Sequence, residues 1–266
     1  MLLRSSTPPL PPGPRSPASL TTLRLIERPY ETLLGWRARY GDVFTVRTLV
    51  FGTGVYVSDI DEIRSMFTGD QSTLRAGEAN APLGPILGDR SVLLLDGPEH
   101  LRQRRLLLPP FGGAAVRSFR QVIREVAAAE IDRWRVGESF RMRDRMRALT
   151  FEVIVRAVFG VTERDRVEEL RAALMSVIDS QFVLLVPSAM RREFGGRGPW
   201  GTFQRRKRVA DGLLYEEIGR RREAADLDER TDVLSLLMRA RDEDGEPMSD
   251  VELRDELMTM LLAGHE

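Results

Sequence analysis

His100 and Arg104 stand four residues apart in the stretch Asp96–Phe111, DGPEHLRQRRLLLPPF. On a helix, that spacing puts both side chains on one face, one turn apart. An imidazole and a permanently charged guanidinium held side by side make a clamp for an anion. On these residues alone the pair also reads as a surface histidine and arginine with no ligand. The chain contains no cysteine, which removes disulfides, zinc-thiolate sites and thiol nucleophiles from consideration. No metal site is expected from the residues present.

The clamp needs a rigid helix, and the local sequence provides one. Asp96 and Gly97 suit an N-cap and Pro98 a first turn. Glu99 places a negative charge at the positive end of the helix dipole. Pro109 and Pro110 are expected to stop the helix. Arg102 and Arg105 point elsewhere around it and are expected in solvent, or as part of a basic docking face.

The wider chain has the composition of a soluble domain, with 42% hydrophobic and 30% charged residues. Its 40 basic and 40 acidic residues cancel, which disfavours nucleic acid or an anionic membrane as a general partner. No segment has 18 consecutive apolar residues, so no membrane span is expected, and a cytoplasmic location is the default. The run Gln204-Arg205-Arg206-Lys207-Arg208 reads as a solvated helix face, because Asp211, Glu216 and Glu217 balance it and no aromatic residue interleaves it.

In chain order, a proline-rich arm (1–19) precedes a helix over about Leu20–Tyr40, with Pro29 as a break. Strands are expected at Val43–Val50 and Val55–Val57 around a turn at Phe51–Gly54. Asp59 and Glu62 open a short helix ending at Gly69. Arg75–Asp96 is broken by Gly77, Pro82, Gly84, Pro85 and Gly88 and reads as a loop-rich cover. After the clamp the pattern is helical, with an irregular connection at 182–201. The last helix starts on the capping-box spacing of Ser249 and Glu252. Its first turns look amphipathic. From Leu257 to Ala263 it is apolar on nearly every side apart from Thr259, so it is expected to be buried all round. It has no stop signal other than Gly264, and the chain is expected to be cut inside this element.

Two stretches together resemble the cytochrome P-450 family of haem-thiolate monooxygenases. Gly97-Pro98-Glu99-His100-Leu101-Arg102-Gln103-Arg104-Arg105 looks like that family's His-x-x-x-Arg helix, followed by prolines and Phe111. Leu261-Leu262-Ala263-Gly264-His265-Glu266 looks like the first half of its Ala-Gly-x-Glu-Thr motif. The resemblance implies a mainly α fold with a small N-terminal β-hairpin. It also implies that residues 20–266 form an incomplete domain of that fold, without the cysteine-ligand region.

The resemblance further implies haem b as cofactor, with its axial cysteine expected beyond residue 266. His100 and Arg104 would hold the propionates. Ala263 and Gly264 would leave room for dioxygen, since small residues let a ligand approach the helix backbone. Glu266 would be the catalytic acid of a proton relay. His265 is assigned no role. Candidate pocket walls are Gly77–Leu95, Phe182–Met190 and Leu261–Gly264. The implied partners are a lipophilic small-molecule substrate, O2, and an electron donor, either ferredoxin or a flavoprotein reductase. The implied reaction is hydroxylation by the longer protein. The fragment itself is expected to be inactive. The rival reading is a non-catalytic helical remnant or interaction domain whose clamp holds another carboxylate or nothing.

Overall fold

The computed structural model describes residues 9–70, 73–180, 183, 184, 191 and 198–265, and of residues 114, 115, 118 and 265 the backbone alone. It contains two compact units, Met1–Arg75 and Ala76–Glu266.

In the first unit, Pro29 divides the periodic stretch into α1 (Ala18–Glu27) and α2 (Pro29–Tyr40). Proline lacks an N–H but its fixed φ suits a first helical turn, so it starts the second helix as it ends the first. β1 (Val43–Thr48) and β2 (Gly52–Val57) pair antiparallel, with Val43 opposite Val57 and Thr48 opposite Gly52. The turn therefore falls at Leu49–Phe51, earlier than its glycines suggested. Threonine hydroxyls fix it there, since Leu49 N donates to Thr22 Oγ1 at 3.0 Å and Phe51 N to Thr48 Oγ1 at 3.2 Å. Gly52, at φ 67°, follows as the first residue of β2.

Phe44 is fully buried, with Trp36 edge-on at 6.3 Å and Tyr56 stacked at 5.0 Å. The proline arm runs against β1: Thr45 N donates to Pro12 O at 3.0 Å and Thr45 Oγ1 to Pro11 O at 2.6 Å. α3 (Ile60–Thr68) is capped by Asp59, whose carboxylate accepts from the amides of Asp61 and Glu62.

The second unit is helical. α4 (Ala76–Asn80), a 3-10 turn at Ala81–Leu83 and α5 (Gly84–Leu87) occupy the stretch expected to be loop. α6 (Gly97–Leu107) carries the clamp. Then follow α7 (Gly113–Ile131), α8 (Met142–Ala157), α9 (Arg164–Ile178), α10 (Gly198–Arg222), α11 (Val233–Arg239) and α12 (Asp250–His265). Most of the expected irregular connection at 182–201 lies outside the described residues, while Gly198–Gly201 already form the first turn of α10. No described helix is long and apolar enough to cross a membrane.

α12 packs on α5, α8, α10 and α11. Leu253, Leu257 and Leu261 on α12, Leu214 on α10 and Leu234 and Leu237 on α11 are fully buried. Each such side chain contributes roughly 1.5–3 kcal/mol on leaving water. A second tie is polar. Arg221 of α10, 3% exposed, donates to the Asp232 carboxylate, to Ser235 Oγ at 2.7 Å, to Phe159 O at 2.6 Å and to Glu217 Oε1 at 3.2 Å. Asp232 in turn caps α11. Lys207, half-buried on α10, pairs with Asp211 one turn on, at 2.8 Å.

Candidate functional site

α6 ends where its sequence says it should, at Leu107, and Pro109–Phe111 continue as a 3-10 turn. Its start differs from expectation. The Asp96 side chain does not cap α6 but accepts from Gly77 N and Glu78 N, each at 2.9 Å, and so closes the first turn of α4. Gly97 at φ 58° and Pro98 turn the chain into the helix instead.

Successive helical residues lie about 100° apart, which divides α6 into three flanks. Gln103, Leu106 and Leu107 are buried. To one side is Arg102, whose Nε donates to Asp242 Oδ2 at 2.6 Å and Nη1 to Glu252 Oε1 at 2.7 Å. Its expected exposure to solvent is therefore corrected. It bridges two acids, and the hydrogen bond to Asp242 raises its pKa further. Arg105 pairs with Glu243 at the surface. These two cations are matched by acids of the same chain, so the basic docking face expected of them is largely neutralised.

To the other side are His100, half-buried, and Arg104, exposed. They share one flank, as their spacing required. Neither side chain has a hydrogen-bond or ion-pair partner among the described residues. Two donor groups, one permanently cationic, are left together without a partner among the described residues. That donor set fits an anionic group such as a carboxylate.

α12 opens with the expected capping box: Ser249 N donates to Glu252 Oε2 at 2.7 Å and Glu252 N to Ser249 Oγ at 3.3 Å. Burial works to raise the Glu252 pKa, but the hydrogen bonds from Ser249 and the charge of Arg102 hold it below the usual range. The next turn overturns the amphipathic reading. Arg254, Asp255 and Glu256 are 2%, 3% and 0% exposed.

Arg254 donates through Nη1 to Leu87 O at 2.9 Å and to Asp255 Oδ1 at 2.8 Å, and through Nε to Asp211 Oδ1 at 2.8 Å. Asp255 Oδ2 accepts from Arg90 N at 2.9 Å. Glu256 Oε1 accepts from Val92 N at 2.7 Å and from Gln103 Nε2 at 3.0 Å. Thr259 gives its proton to Asp255 O at 2.7 Å, so in the 2.7 Å contact with Ser91 Oγ the serine donates. These residues were missed in the sequence. A signal was present: three consecutive charges span most of a helix's circumference, so they cannot all face water beside Leu253 and Leu257 in the core.

The C-terminal turns of α12 also differ from expectation. Leu257–Leu261 are buried except for the half-buried Met260, but Ala263 and Gly264 are exposed. A Cβ on Gly264 would stand 3.2 Å from Ile154 Cδ1 of α8, so this glycine packs closely against α8. The clamp pair is on α6 and the Ala263–Gly264 pair on α12. Around α6, however, Arg102 meets Glu252, and Gln103 meets Glu256 one turn further along α12. The His100–Arg104 flank comes next in that rotation around α6. Glu266 lies outside the described residues, as do the side chain of His265 and most of the candidate wall Phe182–Met190.

A family model described as Cytochrome P450 matches residues 10–266. The chain is 40% identical over 261 residues to a protein of Mycobacterium tuberculosis H37Rv provisionally named cytochrome P450 135B1, covering 97% of this chain and 54% of the relative. It is 40% identical over 262 residues to that organism's similarly named 135A1, covering 57% of it. The chain thus spans little more than half the length of the curated relatives it matches. In fold it is similar to a cyanobacterial CYP120A1 with retinoic acid bound, with a TM-score of 0.79 at 23% identity, over 97% of this chain and 57% of that one. A cytochrome P450DA haem domain gives 0.75 at 22% identity, over 96% of this chain and 56% of the other. The mainly helical fold with its small antiparallel hairpin is that of these structures, and the chain belongs to the cytochrome P450 family.

Proposed function

We propose that the longer protein represented by this chain is a cytoplasmic haem-dependent monooxygenase. It inserts one oxygen atom of O2 into a lipophilic small molecule and draws electrons from a ferredoxin or a flavoprotein reductase. Family membership supports haem oxygenation in general. The observation that carries the reading to residues is the unpartnered pair His100 and Arg104 on α6.

In this reading the two side chains bind the haem propionates and fix the cofactor's edge by charge-assisted hydrogen bonds. Haem, when bound, supplies the redox chemistry of oxygen insertion. Ala263 and Gly264 contribute absence of bulk beside the ligand, and the exposure of both agrees with an open face at this end of α12. Glu266 holds a proton for delivery to the reacting oxygen. The chain has no cysteine, so a thiolate ligand is not supplied by these residues. That favours an inactive role for the chain taken alone.

The test is a haem titration followed at the Soret band. Arg104→Ala should weaken haem binding by about tenfold or more, the usual loss for a charge-assisted hydrogen bond. His100→Ala should weaken it less. Unchanged affinity in both variants would remove the clamp assignment.

A further inference from the structure

Glu256 is the most deeply enclosed acid of the second unit that no proposed step uses. Its side chain is 0% exposed, and it ties its own helix to two other segments. It sits on α12, accepts from Gln103 of α6, and accepts from the backbone of Val92 in the turn that follows α5. Both bonds fall on Oε1. Oε2 is buried without a hydrogen-bond partner.

The surrounding charges do not favour an anion there. Glu252 and Asp255 flank Glu256 on its own helix, and both raise its pKa. The neighbouring cations are committed elsewhere among the described residues. Arg102 of α6 is held by Asp242 and Glu252, and Arg254 by Asp211 and Asp255. Arg90 of the loop reaches outward to within 4.0 Å of Glu99.

We propose that Glu256 is a positioning residue that holds the Arg90–Leu94 loop between α6 and α12 as a neutral acid, and that its ionisation loosens this loop. The neutral form places its proton on Oε2 and leaves Oε1 free to accept both bonds. Ionisation releases the proton to water and leaves a bare anionic oxygen in a closed site beside two other carboxylates. That cost is relieved when the loop lifts and admits water. Burial, the largest influence, outweighs the hydrogen bonds from Gln103 and Val92, which favour the anion, and pushes the carboxyl up to about 7, so the change falls near neutral pH. The loop carries Leu93 and Leu94 and belongs to the Gly77–Leu95 candidate wall. Access along that wall would thus be proton-dependent, whatever the His100–Arg104 clamp holds.

The test is native-state hydrogen exchange at the Val92 and Arg90 amides between pH 6 and 8.5, expressed as protection over intrinsic exchange. In the wild type, protection should fall by about tenfold for each pH unit above the Glu256 pKa while ionisation governs opening. In Glu256→Gln, which mimics the neutral acid, protection should stay flat. A flat wild-type profile, or the same slope in Glu256→Gln, would overturn the proposal. Should the variant fold poorly, the wild-type carboxyl can be titrated directly by carbon NMR. A midpoint near neutrality supports the proposal, and one in the ordinary glutamate range rejects it.

Discussion

Gln103 of α6 donates to Glu256 of α12 across 3.0 Å, and the two side chains are 1% and 0% exposed. A polar pair closed off from water has little freedom to slide, because a displaced partner is left unsatisfied. It therefore fixes the register of the clamp helix against α12, with His100 and Arg104 on the adjoining flank.

Stability should fall as pH rises from about 4.5 to 7 because of Glu256. Its folded pKa of about 7 lies above the ordinary 4.5, so across that window the folded protein keeps a proton the unfolded chain has released. The contribution is complete below the unfolded value and gone above the folded one. It amounts at most to about 3 kcal/mol. Urea midpoints at pH 5.5 and pH 8 should differ in that direction, and Glu256→Gln should shrink the difference. Glu217, also raised by burial, should account for part of what remains. Equal pH slopes in wild type and variant would contradict the assignment.

Arg221→Met should cost on the order of 3–5 kcal/mol, since it strands Glu217 and Asp232 in a buried site. Thermal unfolding reads this out directly. A loss below about 1 kcal/mol would mean that the two acids find water when the arginine is gone.

Gly88→Ala should be costlier than Gly97→Ala. Gly88 has φ 94° and ψ 154°, and a Cβ there would run into the Asp255 carboxylate. Gly97 has φ 58° and nothing within 4 Å of a Cβ. The first should lose more than about 2 kcal/mol and the second about 1, measured by denaturant unfolding. Equal losses would show that the loop adapts freely around Asp255.

Adding haemin, reductant and CO to the 266-residue chain should give no thiolate-type difference band, because none of its residues is cysteine. A Soret shift without that band is the outcome expected of a clamp that holds the cofactor's edge only.

Local rules of sequence carried far in this chain. Pro29 and Pro98 start helices, Pro109 follows the end of one, and Ser249 with Glu252 builds the capping box. The period-two stretch after Asp42 forms the hairpin. What was not legible depends on partners distant in sequence. Arg102 finds Asp242 and Glu252 some 140 and 150 residues away, and Asp255 holds the amide of Arg90 across 165 residues. Side-chain periodicity records which residues share a face but not what covers it, so Arg254, Asp255 and Glu256 read as water-facing. The clamp was legible because both its members sit on one turn. The identity of the side chain that Gly264 packs on, Ile154, was not, since it depends on the placement of α8.

Asp96 begins one helix by sequence but closes another, and this ties the chain into a ring. Its carboxylate grips the amides of Gly77 and Glu78, while Gly77, too small to hold them off, lies against the carbonyls of Leu94 and Leu95. The segment between thus meets at a narrow neck, like a purse drawn shut. A ring fastened at its neck leaves its seat by swinging, with its internal bonds intact. The holds of Arg90, Ser91 and Val92 on α12 should therefore let go together, and the exchange rates of the Arg90 and Val92 amides should rise as one.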